Sequence, residues 1–206
     1  NKLSEGGFVM MPLDKYDWSP KYAWVQDKFG LSWQLDIDKI NNPQKILPAL
    51  LFVNEKNLRL KEAIKYYDSV FKNSQIIMEA PYHPSVGLPE DALLFAQFKL
   101  SDYLFNAMSS TMKHDFDFNE AVSFVVNCKD QEEVDYYWNK LTSDGGIESQ
   151  CAWLKDKFGV SWQIVPTRLI ELISDPDPLK AQKVMMAMLQ MKKIIISELE
   201  NAFKNY

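Results

Sequence analysis

The 206-residue chain is 47% hydrophobic and 13% aromatic with a formal net charge of −5, the profile of a globular protein with a substantial core. The acidic balance speaks against nucleic acid, whose phosphates call for an excess of Lys and Arg. No uninterrupted apolar run approaches the ~18 residues of a membrane span, so no membrane association is expected.

In chain order, NKLSEGG (1–7) has neither the charged nor the apolar region of a signal peptide. It lacks an initiator Met, so the gene product is expected to begin upstream. Trp24–Leu35, WVQDKFGLSWQL, returns as WLKDKFGVSWQI at 153–164, and NKLSEGG returns as NKLTSDGG at 139–146. Sixteen residues separate Gly-Gly from Trp in the first copy and six in the second, which reads as one hairpin lengthened in both strands. Residues 1–40 are therefore expected to be the last strands of a unit whose complete form ends near 166. A linker with Asn, Asn and Pro is expected at 41–48.

The second unit opens with a short apolar strand at 49–54. A helix follows at 58–71, with Leu60, Ala63, Ile64, Tyr67, Val70 and Phe71 on one stripe. Strands are expected at 74–80, 92–100 and 102–110, with a proline-rich loop at 81–91. The order then restarts. AVSFVVNC (121–128) alternates as a strand with Phe124 and Cys128 on one face, and 130–141 is a helix with Asp130 as N-cap and Glu133 completing a capping box. Gly145-Gly146 ends it, and short strands follow around Cys151–Lys155 and Ser161–Val165. The result is an α+β chain of tandem βαβββ modules at 49–166. A helical extension runs over 167–206, with Asp177 capping and Pro178 filling a first helical position.

EAVSFVVNCKDQEEVDYYWNKLTSDGG, SQCAWLKDKFGVSWQIVP and DPDPLKAQKVMMAMLQMKK resemble the PhnB-like branch of the vicinal oxygen chelate superfamily, which includes glyoxalase I, extradiol dioxygenases and antibiotic-resistance proteins. The resemblance covers about 47–206 as a complete domain, and 1–40 as the end of a preceding copy. It implies two curled sheets, each backed by a helix, over a ligand cleft. Members of this branch often carry a demethylubiquinone methyltransferase label.

That label does not suit the residues. None of the seven glycines forms G-x-G-x-x-G or a close relative, and the element order does not alternate as in a doubly wound sheet. The superfamily also implies metal ligands of His, Glu or Gln on cleft strands. The only histidines, His83 and His114, fall in expected loops. The ligand position nearest the second module's first strand falls near Ala121, and the last-strand position holds Gln163, matched by Gln34 in the first copy. One neutral amide is a poor site for a divalent transition metal, so no metal and no cofactor is expected.

Phe124, Cys151, Trp153, Trp162 and Gln163 are the expected ligand-binding residues. Trp24, Trp33, Trp153 and Trp162 recur where the architecture recurs, which favours packing for most of them, as it does for the cluster Met185, Met186, Met188 and Met191. Two scattered cysteines make no disulfide framework and suit the cytoplasm, the expected location. The expected function is small-molecule binding, and the competing class is a metal-dependent lyase or dioxygenase-type enzyme. A homodimer is expected, because the partial copy carries an apolar face with no first module to cover it.

Overall fold

The computed structural model describes residues 2–37 and 43–204. Asn1, 38–42 and 205–206 lie outside the described residues, and with them the first positions of the expected linker. The chain divides into two compact units, Asn1–Lys45 and Ile46–Tyr206.

The first unit is a three-stranded antiparallel sheet in the order β1 (Phe8–Tyr16), β2 (Ser19–Gln26), β3 (Ser32–Asp36). Aromatic rings fasten its first hairpin: Trp18 stacks on Tyr16 at 5.1 Å and meets Tyr22 edge-on at 5.8 Å. The entry to β1 requires glycine, because a Cβ on Gly7 would lie 2.1 Å from the Gln26 carbonyl oxygen.

The second unit holds two four-stranded sheets. The first module supplies β4 (Ala49–Phe52), α1 (Leu60–Val70), β5 (Gln75–Pro81), β6 (Leu93–Leu100) and β7 (Tyr103–Ser109), in the sheet order β4-β7-β6-β5. The second supplies β8 (Ser123–Cys128), α2 (Gln131–Thr142), β9 (Ile147–Glu148), β10 (Trp153–Lys155) and β11 (Ser161–Pro166), in the order β8-β11-β10-β9. In each sheet the module's first strand runs parallel to its last, and the other pairings are antiparallel. This is the glyoxalase-like α+β architecture.

α1 buries Leu60, Ala63, Ile64, Tyr67 and Val70, the stripe that the 3.6-residue period places on one side. α2 buries Val134, Tyr137, Trp138 and Leu141 in the same way. The two stripes join one core with the inward residues of both sheets, from Phe52 and Phe98 to Leu154, Trp162 and Ile164. The Asp130 carboxylate accepts from the Glu133 amide at 2.9 Å, as a cap should. Glu133 returns to the amide of Lys129, one residue before the expected capping-box partner.

After β11, α3 (Thr167–Ile173), α4 (Pro178–Met188) and α5 (Ile196–Lys204) build a second, smaller core around Leu169, Leu172, Val184, Ile194 and Leu199. Asp177 caps α4 by accepting from the Leu179 amide. The methionine cluster divides: Met191 is buried and Met188 packs against this core, whereas Met185 and Met186 are exposed. No helix of the described residues is long and apolar enough to cross a membrane.

Candidate functional site

Strand alternation gives each sheet of the second unit one face toward the helices and one away from them. On β6, Ala96 and Phe98 are buried, and Phe98 stacks on Tyr67 of α1. Their neighbours Phe95 and Gln97 take the opposite face and pair across with Met108 and Asn106. There the Gln97 Nε2 donates to Asn106 Oδ1 at 3.0 Å.

The second sheet has a corresponding arrangement. Leu154, Trp162 and Ile164 are buried toward α2. Ser123, Val125, Trp153 and Gln163 take the other face, with Gln163 opposite Val125 on β8 and Trp153 on β10. Gln163 Nε2 donates to Ser123 Oγ at 2.8 Å. One end of this face is covered, since Val165 packs against the core of the C-terminal helices. Both faces thus combine apolar side chains with one neutral hydrogen-bonded pair and one lysine, Lys99 on β6 and Lys155 on β10, and Lys155 is ion-paired with Glu120.

The five expected ligand-binding residues do not all meet. Gln163 and Trp153 share the open face. Trp162 is turned to the core, 2% exposed, with its indole Nε1 donating to Asp156. Phe124 lies on the same side, its ring against Phe105 and Trp162. The correction has a simple cause: Trp162 and Gln163 are successive strand residues and must face opposite ways. Cys151 does not open β10 either. It sits with Ala152 in a left-handed turn (φ 56 and 72), and their amides donate to the carbonyls of Met191 and Lys192. Ser123, Gln97 and Asn106, which form the polar pairs of these faces, are not among the five expected residues.

Both histidines sit off the sheets. His83 Nδ1 lies 2.8 Å from Ser85 Oγ, and His114 Nε2 lies 2.8 Å from Ser110 Oγ. Asn54 staples the His114 loop through bonds to its backbone N–H and carbonyl. Among the described residues no group of three or more His, Cys, Asp or Glu side chains is arranged to hold a metal ion. The polar side chains placed on these faces are neutral amides, a hydroxyl and the lysines Lys99 and Lys155, and none is the imidazole, thiolate or carboxylate from which a tight Zn, Fe, Ni, Co or Cu site is ordinarily built.

A buried polar cluster lies behind the face. The Asp156 carboxylate, in a residue 2% exposed, accepts from Tyr67 Oη at 2.7 Å, Trp162 Nε1 at 2.9 Å, and the amides of Phe158 and Val160 at 2.9 and 3.1 Å. Burial raises its pKa against the pull of these four donors, and burial likewise raises that of Tyr67. Cys128 is pushed up to about 12 by burial first, and then by Glu133 and Asp130. Two surface hollows lie elsewhere, and none of the five expected residues lines either. One, of ≈ 280 Å³, is lined by Lys61, Glu62 and Pro89, and the other, of ≈ 520 Å³, by Asp130, Arg168 and Lys193.

Residues 44–165 match the family model described as 3-demethylubiquinone-9 3-methyltransferase. Among solved structures, a PhnB protein from Bacillus cereus is 31% identical, covering 60% of this chain and 100% of its own, with a TM-score of 0.54. A protein from Pseudomonas aeruginosa is 19% identical over 60% of this chain and 97% of its own, with a TM-score of 0.49. The fosfomycin resistance protein FosX from Listeria monocytogenes is 14% identical over 63% of this chain and 95% of its own, with a TM-score of 0.44. No curated protein matches the chain.

Proposed function

The chain belongs to the 3-demethylubiquinone-9 3-methyltransferase family, a PhnB-like branch of the vicinal oxygen chelate superfamily, and from that premise we propose that it binds a small molecule on the open face of the β8–β11 sheet. The observation that supports this reading is the Gln163–Ser123 pair at 2.8 Å, set among Val125 and Trp153 on the side away from α2. A neutral amide and hydroxyl beside an indole, with Lys155 of the same face engaged by Glu120, suit an uncharged, planar ligand that offers a hydrogen bond and an apolar ring.

Methyl transfer is not part of the proposal. A methyl-donor nucleotide site is ordinarily built on a glycine-rich turn in a parallel, doubly wound sheet. Here each four-stranded sheet has one parallel pair, and the chain has no such glycine pattern.

A panel of neutral aromatic compounds is screened by thermal shift and by Trp153 fluorescence, with Gln163→Ala and Trp153→Ala in parallel. The expected result is a set of compounds that raise the wild-type melting temperature and lose that effect in both variants. Equal shifts in wild type and variants refute the placement of the site. Elemental analysis of protein purified without chelator separates the competing class. About one transition metal per chain, lost in Gln163→Ala, favours a metal-dependent enzyme instead.

A further inference from the structure

We propose that β1–β3 is the closing half of another βαβββ module, and that the side of its β2–β3 hairpin bearing Phe29, Leu31, Trp33 and Leu35 docks a polypeptide with the character of residues 46–138. The inference starts from two turns. In the first unit Asp27 Oδ1 accepts from the amides of Phe29 and Leu31 at 2.9 and 3.0 Å, and its Oδ2 accepts from Trp33 Nε1 at 2.9 Å. In the second unit Asp156 makes the corresponding bonds to Phe158, Val160 and Trp162 at 2.9, 3.1 and 2.9 Å. The backbone bonds closing the two turns also correspond, and Gly30 and Gly159 both take left-handed φ values, 87° and 89°.

The strand registers agree as well. Val25 faces Trp33 and Gln26 faces Ser32, as Leu154 faces Trp162 and Lys155 faces Ser161. Phe8 faces Gln26 as Ile147 faces Lys155.

What differs is the cover. Phe158 is 0% exposed and Phe29 is 84%; Val160 is 3% and Leu31 is 46%; Ile164 is 0% and Leu35 is 41%. In the second unit the cover has named sources. Tyr67 of α1 donates to Asp156 Oδ2. Tyr66, Tyr67 and Phe52 pack on Phe158, and Phe71 and Phe124 pack on Trp162. β8 lies parallel along β11 from Ser161 to Pro166. β3, by contrast, ends its sheet among the described strands.

The occupant must therefore bring a parallel strand to β3, a tyrosine hydroxyl to Asp27 and aromatic rings to Phe29 and Trp33. Residues 46–138 carry each of these in β8, Tyr67, and Tyr66 with Phe71. A second copy of this chain does not supply them, because its β8 and Tyr67 are already committed to its own β11 and Asp156. The alignment of Asn1-Lys2-Leu3 with Asn139-Lys140-Leu141 fixes where such a segment joins.

The test is a fusion in which a copy of residues 46–138 is placed directly before Asn1 of the full chain. Segment-resolved hydrogen exchange compares it with the 206-residue chain. The expected result is a slowing of the 27–36 amides by about 100-fold or more, reflecting cooperative burial, with one slow population for peptides of α1. Phe29→Asp in the fusion restores fast exchange at 27–36 and leaves the peptides of 143–204 unchanged. The proposal is overturned if 27–36 exchanges equally fast in both proteins, or if α1 peptides split into slow and fast populations. It is also overturned if the 206-residue chain alone is a dimer by light scattering with 27–36 already protected, since self-association then supplies the cover.

Discussion

Removing the Asp156 carboxylate tests what holds the two modules of the second unit together. Asp156→Ala leaves four donors facing a buried space: Tyr67 Oη, Trp162 Nε1 and the amides of Phe158 and Val160. At the low end of ~1 kcal/mol per orphaned donor, the loss is about 4 kcal/mol. A water entering the vacated volume returns about 1 kcal/mol, which leaves a net loss of about 3 kcal/mol. Asp156→Asn is expected to fall between, because its oxygen still serves the two amides while its NH2 confronts two side-chain donors. The assay is a urea series followed by exchange of the α1 amides, so that only the second unit is read. Asp27→Ala in the same assay is the control and should leave α1 unmoved. A loss under about 1 kcal/mol for Asp156→Ala would refute the reasoning, since it would mean the four donors find other partners at little cost.

Cys128 should resist iodoacetamide at pH 8 in the folded protein and react on unfolding, because burial lifts its thiol to about 12; peptide mass spectrometry reads the result. Of the nine tyrosines, Tyr22 and Tyr66 are raised to about 12 and Tyr67 is raised well above its ordinary value, chiefly by burial, so the tyrosinate absorbance at pH 11 should stay below that of the unfolded chain. The same shifts make stability from these groups complete below the unfolded pKa and lost as pH rises through the folded values. Glu62 runs the other way: Arg59 first, and Lys157, hold it down to about 2, so its contribution is present above the ordinary carboxylate range and fades as pH falls through about 2. Glu62→Gln should flatten that acid limb in a pH series of urea midpoints. Gly146→Ala should cost about 2 kcal/mol by urea unfolding, because the new Cβ would stand 2.4 Å from the Leu141 carbonyl oxygen and 2.6 Å from the Thr142 Cα.

Much of the second unit was legible because its signals are local. The stripe Leu60–Val70 and the Asp130 and Asp177 caps each follow from a few neighbouring residues, and each has its place in α1, α2 or α4. The facing of the expected ligand-binding residues was less legible, for a reason that is also physical. Alternation sorts Phe124 from Val125 and Trp162 from Gln163, but it does not say which set faces the helices. An apolar strand face covered by an apolar helix stripe is the lower-energy choice, so Phe124 and Trp162 went inward and the polar Gln163 outward. Cys151 was expected on a strand and lies in a turn for a different reason. Its left-handed turn is held by carbonyls of Met191 and Lys192, forty positions away, and nothing within a strand-length window signals them.

The two Asp-Lys-Phe-Gly turns carry this distinction between local and distant control furthest. Asp27 and Asp156 accept from matching amides and a matching indole, so the local sequence determines both geometries. Yet their acidities move in opposite directions. Asp27 is lowered, first through its bond from Trp33, because water still reaches the turn. Asp156 is raised, because α1 and the aromatic rings around Phe158 strip that water away, and the lost hydration outweighs one donor more than Asp27 has. By linkage, ionised Asp27 favours its folded turn at neutral pH, and this support fades as pH falls through its lowered pKa. Ionised Asp156 weighs against folding, its favourable share being complete below the unfolded pKa and lost as pH rises through the folded one. An eight-residue motif therefore specifies a conformation, while the elements packed over it decide whether its carboxylate is a stabilising cap or a buried charge that must be held by four hydrogen bonds.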